Sequence, residues 1–269
     1  MMSSRAAAAC RRFASIAFAL ALAGCAATLP PEPVADLKTA SDQTNADRVA
    51  QARLELAAAY FARDQLSTAL DEVKRVLEVR PDLPEALNLR GLIYAAMGQP
   101  ALAEASFRRA QALAPQDGDV RHNFGWFLCQ QQRYDEADAQ FVAALALPHY
   151  RSFARTMLAQ GACQARAGQL HRADGTLSRA YELDPTNLAV AYNLSDVLYR
   201  LGEFERARFY IRRVNQRREA ANAQSLWLAT RIEHRLGNAA LVRQIGGELR
   251  DRFPQSPQAL LFEKGRFDD

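Results

Sequence analysis

The segment 84–117, PEALNLRGLIYAAMGQPALAEASFRRAQALAPQD, contains the pattern that decides the fold of this 269-residue chain. Residues of the same type recur 34 positions apart in and around it. The matching pairs are Pro81 and Pro115, Gly91 and Gly125, Ala103 and Ala137, Phe107 and Phe141, and Ala110 and Ala144. So many coincidences at one offset indicate that the chain repeats one structural unit.

A period of about 34 residues is typical of the tetratricopeptide repeat, a unit of two antiparallel helices. Small residues such as Gly91 let the two helices approach closely, and aromatic residues such as Phe107 fill the space between them. Pro115 then ends the second helix, because proline lacks an amide hydrogen and its ring clashes with the preceding turn. We therefore predict an all-α, right-handed tetratricopeptide superhelix of six helix pairs; the alternative is an unrelated helical bundle with alanine-rich heptads.

The repeat domain is predicted at 46–257, followed by a C-terminal tail at 258–269. Its units are predicted at about 50–83, 84–117, 118–153, 154–187, 188–222 and 223–256. Glycines fall between the two helices of several units, where a residue with positive φ makes the turn.

The N-terminal segment 1–24 has the features of an export signal. Three arginines precede an apolar run at 13–22, and the segment ends in Leu22-Ala23-Gly24-Cys25. This arrangement predicts cleavage by a lipoprotein signal peptidase and lipidation of Cys25. The run is shorter than the roughly 20 apolar residues that span a bilayer. The proline-containing segment 25–45 is predicted to be a flexible tether; an ordinary signal peptide with an incidental cysteine is the alternative.

The charge and the motifs exclude several classes of function. Removing residues 1–24 removes three arginines and no acidic residue, so the formal net charge falls from +4 to +1. A nucleic-acid partner is therefore not expected. The sequence also lacks the spacings of a zinc protease, a nucleophile elbow and a phosphate-binding loop. We predict no enzymatic activity, no metal, no cofactor and no small-molecule substrate.

Repeat superhelices bind their partners in a concave groove lined by the first helix of each pair. Inward-facing positions include both tryptophans of the chain, and tryptophan, tyrosine and arginine dominate binding energy at interfaces. The predicted groove residues are Asn88, His122, Trp126, Gln130, Tyr192, Asp196, Tyr199, Arg200, Trp227 and Arg231. Alternatively, Trp126 and Trp227 simply pack between neighbouring helices.

Two further features leave alternatives open. Cys129 and Cys163 lie on the first helices of adjacent units in an exported chain, so we hypothesise a disulfide between them. Two free buried thiols are the alternative. The run Arg206–Arg218 is rich in arginine, and it forms either a solvated face or a surface for an acidic partner.

Several longer strings resemble those of the PilW/PilF family of type IV pilus biogenesis and stability lipoproteins, which are pilotins. The strings are HNFGWFLC at 122–129, ALPHY at 146–150, RARFYIRRVN at 206–215, AQSLWL at 223–228 and GRFD at 265–268. The resemblance implies a non-enzymatic adaptor that binds the pilus secretin subunit and promotes its outer-membrane localisation and multimer assembly, for pilus biogenesis and twitching motility.

The resemblance also implies a location. Ala26, rather than aspartate, follows Cys25, and in Gram-negative lipoproteins this pattern directs the lipid to the inner leaflet of the outer membrane, with the protein on the periplasmic face. A tetratricopeptide scaffold of another envelope pathway, such as barrel assembly or recruitment of cell-wall hydrolases, is the alternative function.

Overall fold

The computed structural model describes residues 44–267. The predicted signal peptide at 1–24, the lipidation site Cys25 and nearly all of the tether at 25–45 lie outside these residues, as do 268–269.

Thirteen helices and no strand occur between residues 44 and 267. They are α1 (Asn45–Ala62), α2 (Leu66–Val79), α3 (Pro84–Ala96), α4 (Pro100–Leu113), α5 (Gly118–Gln130), α6 (Tyr134–Leu145), α7 (Phe153–Arg166), α8 (Leu170–Leu183), α9 (Leu188–Arg200), α10 (Phe204–Asn215), α11 (Ala223–Arg235), α12 (Ala239–Arg252) and α13 (Pro257–Glu263). The first twelve form six pairs, α1 with α2 through α11 with α12, so the predicted all-α tetratricopeptide superhelix is confirmed.

Glycines in the first helices allow the close packing within a pair. A Cβ atom added to Gly91 would lie 2.7 Å from Cε1 of Phe107, and one added to Gly161 would lie 2.5 Å from Cγ of Leu177. Phe107 and Leu177 are fully buried. Each large side chain therefore occupies the space that the missing Cβ leaves, which brings the two helix axes together.

The turn inside each pair contains one residue with positive φ. Glycine occupies this position in four pairs, at Gly98, Gly168, Gly202 and Gly237. Asp64 and Gln132 occupy it in the first and third pairs, with φ of 58° and 61°. An L side chain pays a steric cost in this region, so glycine is favoured at this position. Glycine therefore marks the turn in the sequence of four units, whereas the turns of the first and third units have no glycine to mark them.

Adjacent pairs are joined along both rows of helices. Among the first helices, Cys129 of α5 and Cys163 of α7 form a disulfide with their Cα atoms 5.8 Å apart. Among the second helices, charged side chains bridge successive pairs. These ion pairs are Arg133–Glu104 (2.7 Å), Arg172–Asp138 (2.7 Å) and Arg206–Asp174 (3.0 Å).

The segment 258–269, which is predicted to be a tail, contains most of the thirteenth helix. Pro257 begins α13, which packs against α11 and α12, and Ala259 is almost fully buried there. The ring of Phe262 covers Gly246 of α12 so closely that a Cβ at that position would collide with it. Helix α13 thus covers the apolar end that the last pair would otherwise expose, as terminal elements of repeat proteins do.

Candidate peptide-binding groove

The first helices of the pairs form one continuous face. Helices α1, α3, α5, α7, α9 and α11 pack side by side in chain order, whereas the second helices of adjacent pairs have no Cα atoms within 8 Å of each other in the described residues. The row that is packed more closely lies on the inside of the curve. The first helices therefore line the concave face, and all ten predicted groove residues belong to α3, α5, α9 and α11.

A row of polar side chains crosses the concave face from α3 to α7. Asn123 Nδ2 donates to Asn88 Oδ1 at 3.3 Å, and Arg155 Nη2 donates to Asn123 Oδ1 at 3.2 Å. Arg155 Nη1 lies 3.2 Å from Asp119 Oδ1. Asn123 and Asp119 were not among the predicted groove residues, although asparagine in consecutive first helices was a signal that could have pointed to this row. Its amides and guanidinium have the hydrogen-bonding groups that bind the backbone of an extended peptide.

The structure places His122 in the interior instead of on the open groove. Its side chain is only 7 % exposed, and its Nδ1 lies 2.9 Å from Oγ1 of Thr156 on α7, which also hydrogen-bonds the hydroxyl of Tyr150. Burial, and then the positive charge of Arg155, lower the pKa of His122 from 6.5 to about 4. The one-residue difference between His122 and Asn123 turns the imidazole toward α7, so His122 is a packing residue and no longer a candidate for contact with a partner.

Trp126 and Gln130 follow on the same helix. Trp126 packs beside the buried cluster that includes Phe127 and Cys163, yet part of its side chain stays exposed. Gln130 is exposed at the end of α5. Trp126 therefore has both properties that the sequence left as alternatives, because one part of the indole packs in the interior and another part faces solvent.

A second group of predicted residues lies together on α9 and α11. Arg231 places its guanidinium 4.5 Å from the ring centroid of Tyr199, which is itself buried and is therefore, like His122, a packing residue. Arg200 donates to the backbone carbonyl of Ala165 at 3.0 Å. Burial raises the pKa of Asp196 above its ordinary value, and the charges of Arg200 and Arg231 only partly offset this effect. Burial, and then the charge of Asp196, likewise raise the pKa of the partly buried Tyr192. A ligand that donates hydrogen bonds to the Asp196 carboxylate would thus be favoured here.

Trp227 is covered by the C-terminal segment. Its side chain is 6 % exposed, and the ring of Phe267 stacks on it with the centroids 5.7 Å apart. Phe267 also stacks on His234 at 4.2 Å, and its carbonyl accepts a hydrogen bond from Arg231 Nε at 3.0 Å. Of the two alternatives for Trp227, the structure therefore favours packing over an open groove. The repeat pattern does not predict this contact, since Phe267 lies 40 residues away in the segment expected to be a tail.

Replacing Phe267 by alanine should expose Trp227 without unfolding the superhelix. The stacked ring excludes water from the indole, so we expect a red shift of the tryptophan fluorescence and stronger quenching by iodide. Leu56→Ala is the control, because this leucine is exposed on α1 of the first pair, whereas the two tryptophans lie in the third and sixth pairs. A Phe267→Ala spectrum identical to that of the control would show that the C-terminal segment does not cover Trp227.

The described residues contain neither a metal-binding cluster nor a helix that could span a membrane. No group of three or more His, Cys, Asp or Glu side chains between residues 44 and 267 is placed to hold a metal ion. In the same residues, no helix has the length and apolar content needed to cross a bilayer.

Comparison with known families supports the class of protein that this geometry defines. Models of the tetratricopeptide repeat match residues 84–117, 119–147 and 164–227. The chain is a tetratricopeptide-repeat protein, and its concave face has the usual position of a binding surface in this class.

Two tetratricopeptide-repeat proteins, PilF and PilW, are similar to this chain over most of its length. The chain is 26 % identical over 245 residues to the type IV pilus assembly protein PilF of Pseudomonas aeruginosa, covering 90 % of this chain and 94 % of PilF. A crystal structure of PilW, described as a widely conserved type IV pilus biogenesis factor, superposes with a TM-score of 0.74 at 28 % identity, covering 79 % of this chain and 97 % of PilW. The Pseudomonas aeruginosa PilF structure shares the fold with a TM-score of 0.73 at 24 % identity, covering 83 % of this chain and all of PilF. This tetratricopeptide-repeat protein is homologous to PilF.

Proposed function

We propose that this chain is a non-enzymatic adaptor of type IV pilus biogenesis, a lipid-anchored protein that binds the pilus secretin subunit and promotes its assembly in the outer membrane. The observation that carries the proposal is the homology to PilF over 90 % of the chain. The fold that this chain shares with PilW over 79 % of its length adds to that support.

The groove supports a protein ligand for this adaptor. The row formed by Asn88, Asn123 and Arg155 has hydrogen-bonding groups for a peptide backbone, and Trp126 adds a partly exposed aromatic surface beside it. Since Phe267 covers Trp227 at the other end, the proposed contact with an extended or helical secretin segment is at the first four pairs. The lipid on Cys25 and the tether at 25–45 complete the proposal, because they would carry the bound subunit to the inner leaflet of the outer membrane.

Cys25→Ala tests the role of the lipid. We expect the variant to be folded and to bind the secretin, but to deliver it poorly, because binding and membrane attachment reside in separate parts of the chain. The measurement is the amount of heat-stable secretin multimer in the outer membrane, with twitching motility, in a deletion strain complemented by each variant. Cys10→Ala, in the predicted leader, is the control. Normal multimers with Cys25→Ala would contradict delivery by the lipid.

Trp126→Ala tests the groove. If the exposed part of the indole is a contact with the partner, its removal should weaken secretin binding by about 2 kcal/mol, as at interface hot spots. Val142→Ala is the matched control, since this exposed residue lies on the second helix of the same pair, away from the concave face. Calorimetric titration with solubilised secretin gives the affinities, and unchanged binding by a folded Trp126→Ala variant would place the contact elsewhere.

A further inference from the structure

The arginine-rich helix α10 forms one wall of a pocket outside the groove. The pocket has a volume of about 780 Å³, and its other wall is the loop and first turn that lead into α9, including Thr186 and Leu188. Because α10 is the second helix of its pair, this pocket is not part of the concave face. A cavity of this size accommodates a few side chains of a ligand.

The pocket has an excess of positive charge. Arg208, Arg212, Arg213 and Arg217 line it, and Glu205 is the acidic side chain among its lining residues. Arg208 pairs with Glu205, and Arg208 and Arg212 share the buried Glu233, at 3.8 Å and 3.4 Å. In the part of the chain that the structure describes, neither Arg213 nor Arg217 pairs with a carboxylate. Two guanidinium groups that line the pocket are thus without an ion-pair partner in the described residues.

Arg213 is fixed in position by aromatic neighbours. Its guanidinium lies 4.4 Å from the ring centroid of Phe209, and it hydrogen-bonds the hydroxyl of Tyr181. The ring of Phe209 is nevertheless 51 % exposed. An immobilised guanidinium loses less rotamer freedom on binding than a free one, and the exposed ring leaves an apolar surface for a ligand.

We infer that this pocket binds an acidic peptide segment of a partner protein, in which carboxylates meet Arg213 and Arg217 and an apolar side chain covers Phe209. The planar guanidinium binds a carboxylate through two parallel hydrogen bonds, so the arginines match this ligand in geometry as well as in charge. A peptide side chain can enter the cavity, whereas a flat bilayer surface would reach only its rim. The inference stands apart from the proposed secretin contact, because it uses a different face.

Calorimetry with a defined probe tests the inference. The full-length chain is titrated at low ionic strength with the capped peptide acetyl-Glu-Glu-Phe-Glu-Glu-amide and with its glutamine counterpart. We expect the acidic peptide to bind, the glutamine peptide to bind more weakly, and added salt to reduce the difference. No heat of binding with the acidic peptide would overturn the inference.

Two pairs of substitutions localise the binding. Arg213→Gln with Arg217→Gln should weaken binding of the acidic peptide at least about tenfold, because two charge-assisted contacts are removed. Arg243→Gln with Arg250→Gln removes the same charge from exposed positions on α12 and should leave the affinity unchanged. Arg217→Gln alone guards against misfolding, since its side chain has no ion pair between residues 44 and 267. Equal weakening by both double variants would show that the pocket is not the binding site.

Phosphatidylglycerol vesicles test the other source of negative charge. The inference would be overturned if the wild type bound these vesicles but not the acidic peptide, and if Arg213→Gln with Arg217→Gln abolished the vesicle binding, because the arginines would then bind lipid.

Discussion

Removal of the disulfide between Cys129 and Cys163 should lower the free energy of unfolding by about 3–4 kcal/mol. The bond closes a segment of 34 residues, and it stabilises the fold because it removes extended conformations from the unfolded chain. It also joins the first helices of the third and fourth pairs, beside the partly exposed Trp126. Denaturant unfolding of the chain with and without reductant gives the difference directly.

The Cys129→Ala, Cys163→Ala double variant is the control for this prediction, since reductant should not change its stability. Thiol titration of the denatured, unreduced chains gives an independent test. The wild type and the double variant should have the same number of reactive thiols. Two additional thiols in the wild type would contradict the bond and favour the alternative of free buried cysteines.

Acidification should destabilise the fold by up to about 3 kcal/mol through His122. Its pKa is lowered to about 4 in the folded chain, from 6.5, so a proton binds the unfolded chain more tightly. The contribution of the neutral imidazole is therefore complete above pH 6.5 and is lost as the pH falls from 6.5 to 4. Hydrogen bonds from Arg133 lower the pKa of Glu104. Burial raises the pKa of Asp138, but hydrogen bonds from Gln160, Arg172 and Gln164 together outweigh burial and lower it. The contributions of both carboxylates are therefore lost at more acidic pH.

His122→Gln separates this effect from the rest of the titration. The glutamine amide retains a hydrogen-bonding group near Thr156, yet it does not titrate, so the free energy of unfolding should change much less between pH 6.5 and 4. His171→Gln is the matched control, because His171 is exposed on α8. The same steep loss in the His122→Gln variant would show that another group controls the acid sensitivity.

The repeat period predicted the fold because each unit solves the same packing problem. Gly91 and Phe107 recur together, since the large ring needs the space of the missing Cβ, and a pattern of this kind is visible without coordinates. The orientation of individual side chains was harder to predict from the sequence. Position 122 lies one residue before Asn123, and the rotation of about 100° per residue around α5 decides between the core and the groove.

The ends of the superhelix were the least predictable part. Helix α13 lacks a partner helix, so half of the repeat signal is missing from the segment 258–269. The contact between the C-terminal segment and the groove is made by Phe267, which follows α13. Phe267 reaches Trp227 and Arg231 only because the chain folds back over α11. Long-range contacts of this kind leave no periodic pattern in the sequence.

Immunoprecipitation of the full-length chain from detergent-solubilised envelopes identifies the protein that it binds. We predict that the type IV pilus secretin is the largest protein recovered with the wild type and with Val142→Ala, and that its recovery falls with Trp126→Ala. Recovery of barrel-assembly proteins or cell-wall hydrolases without the secretin would contradict the proposed function.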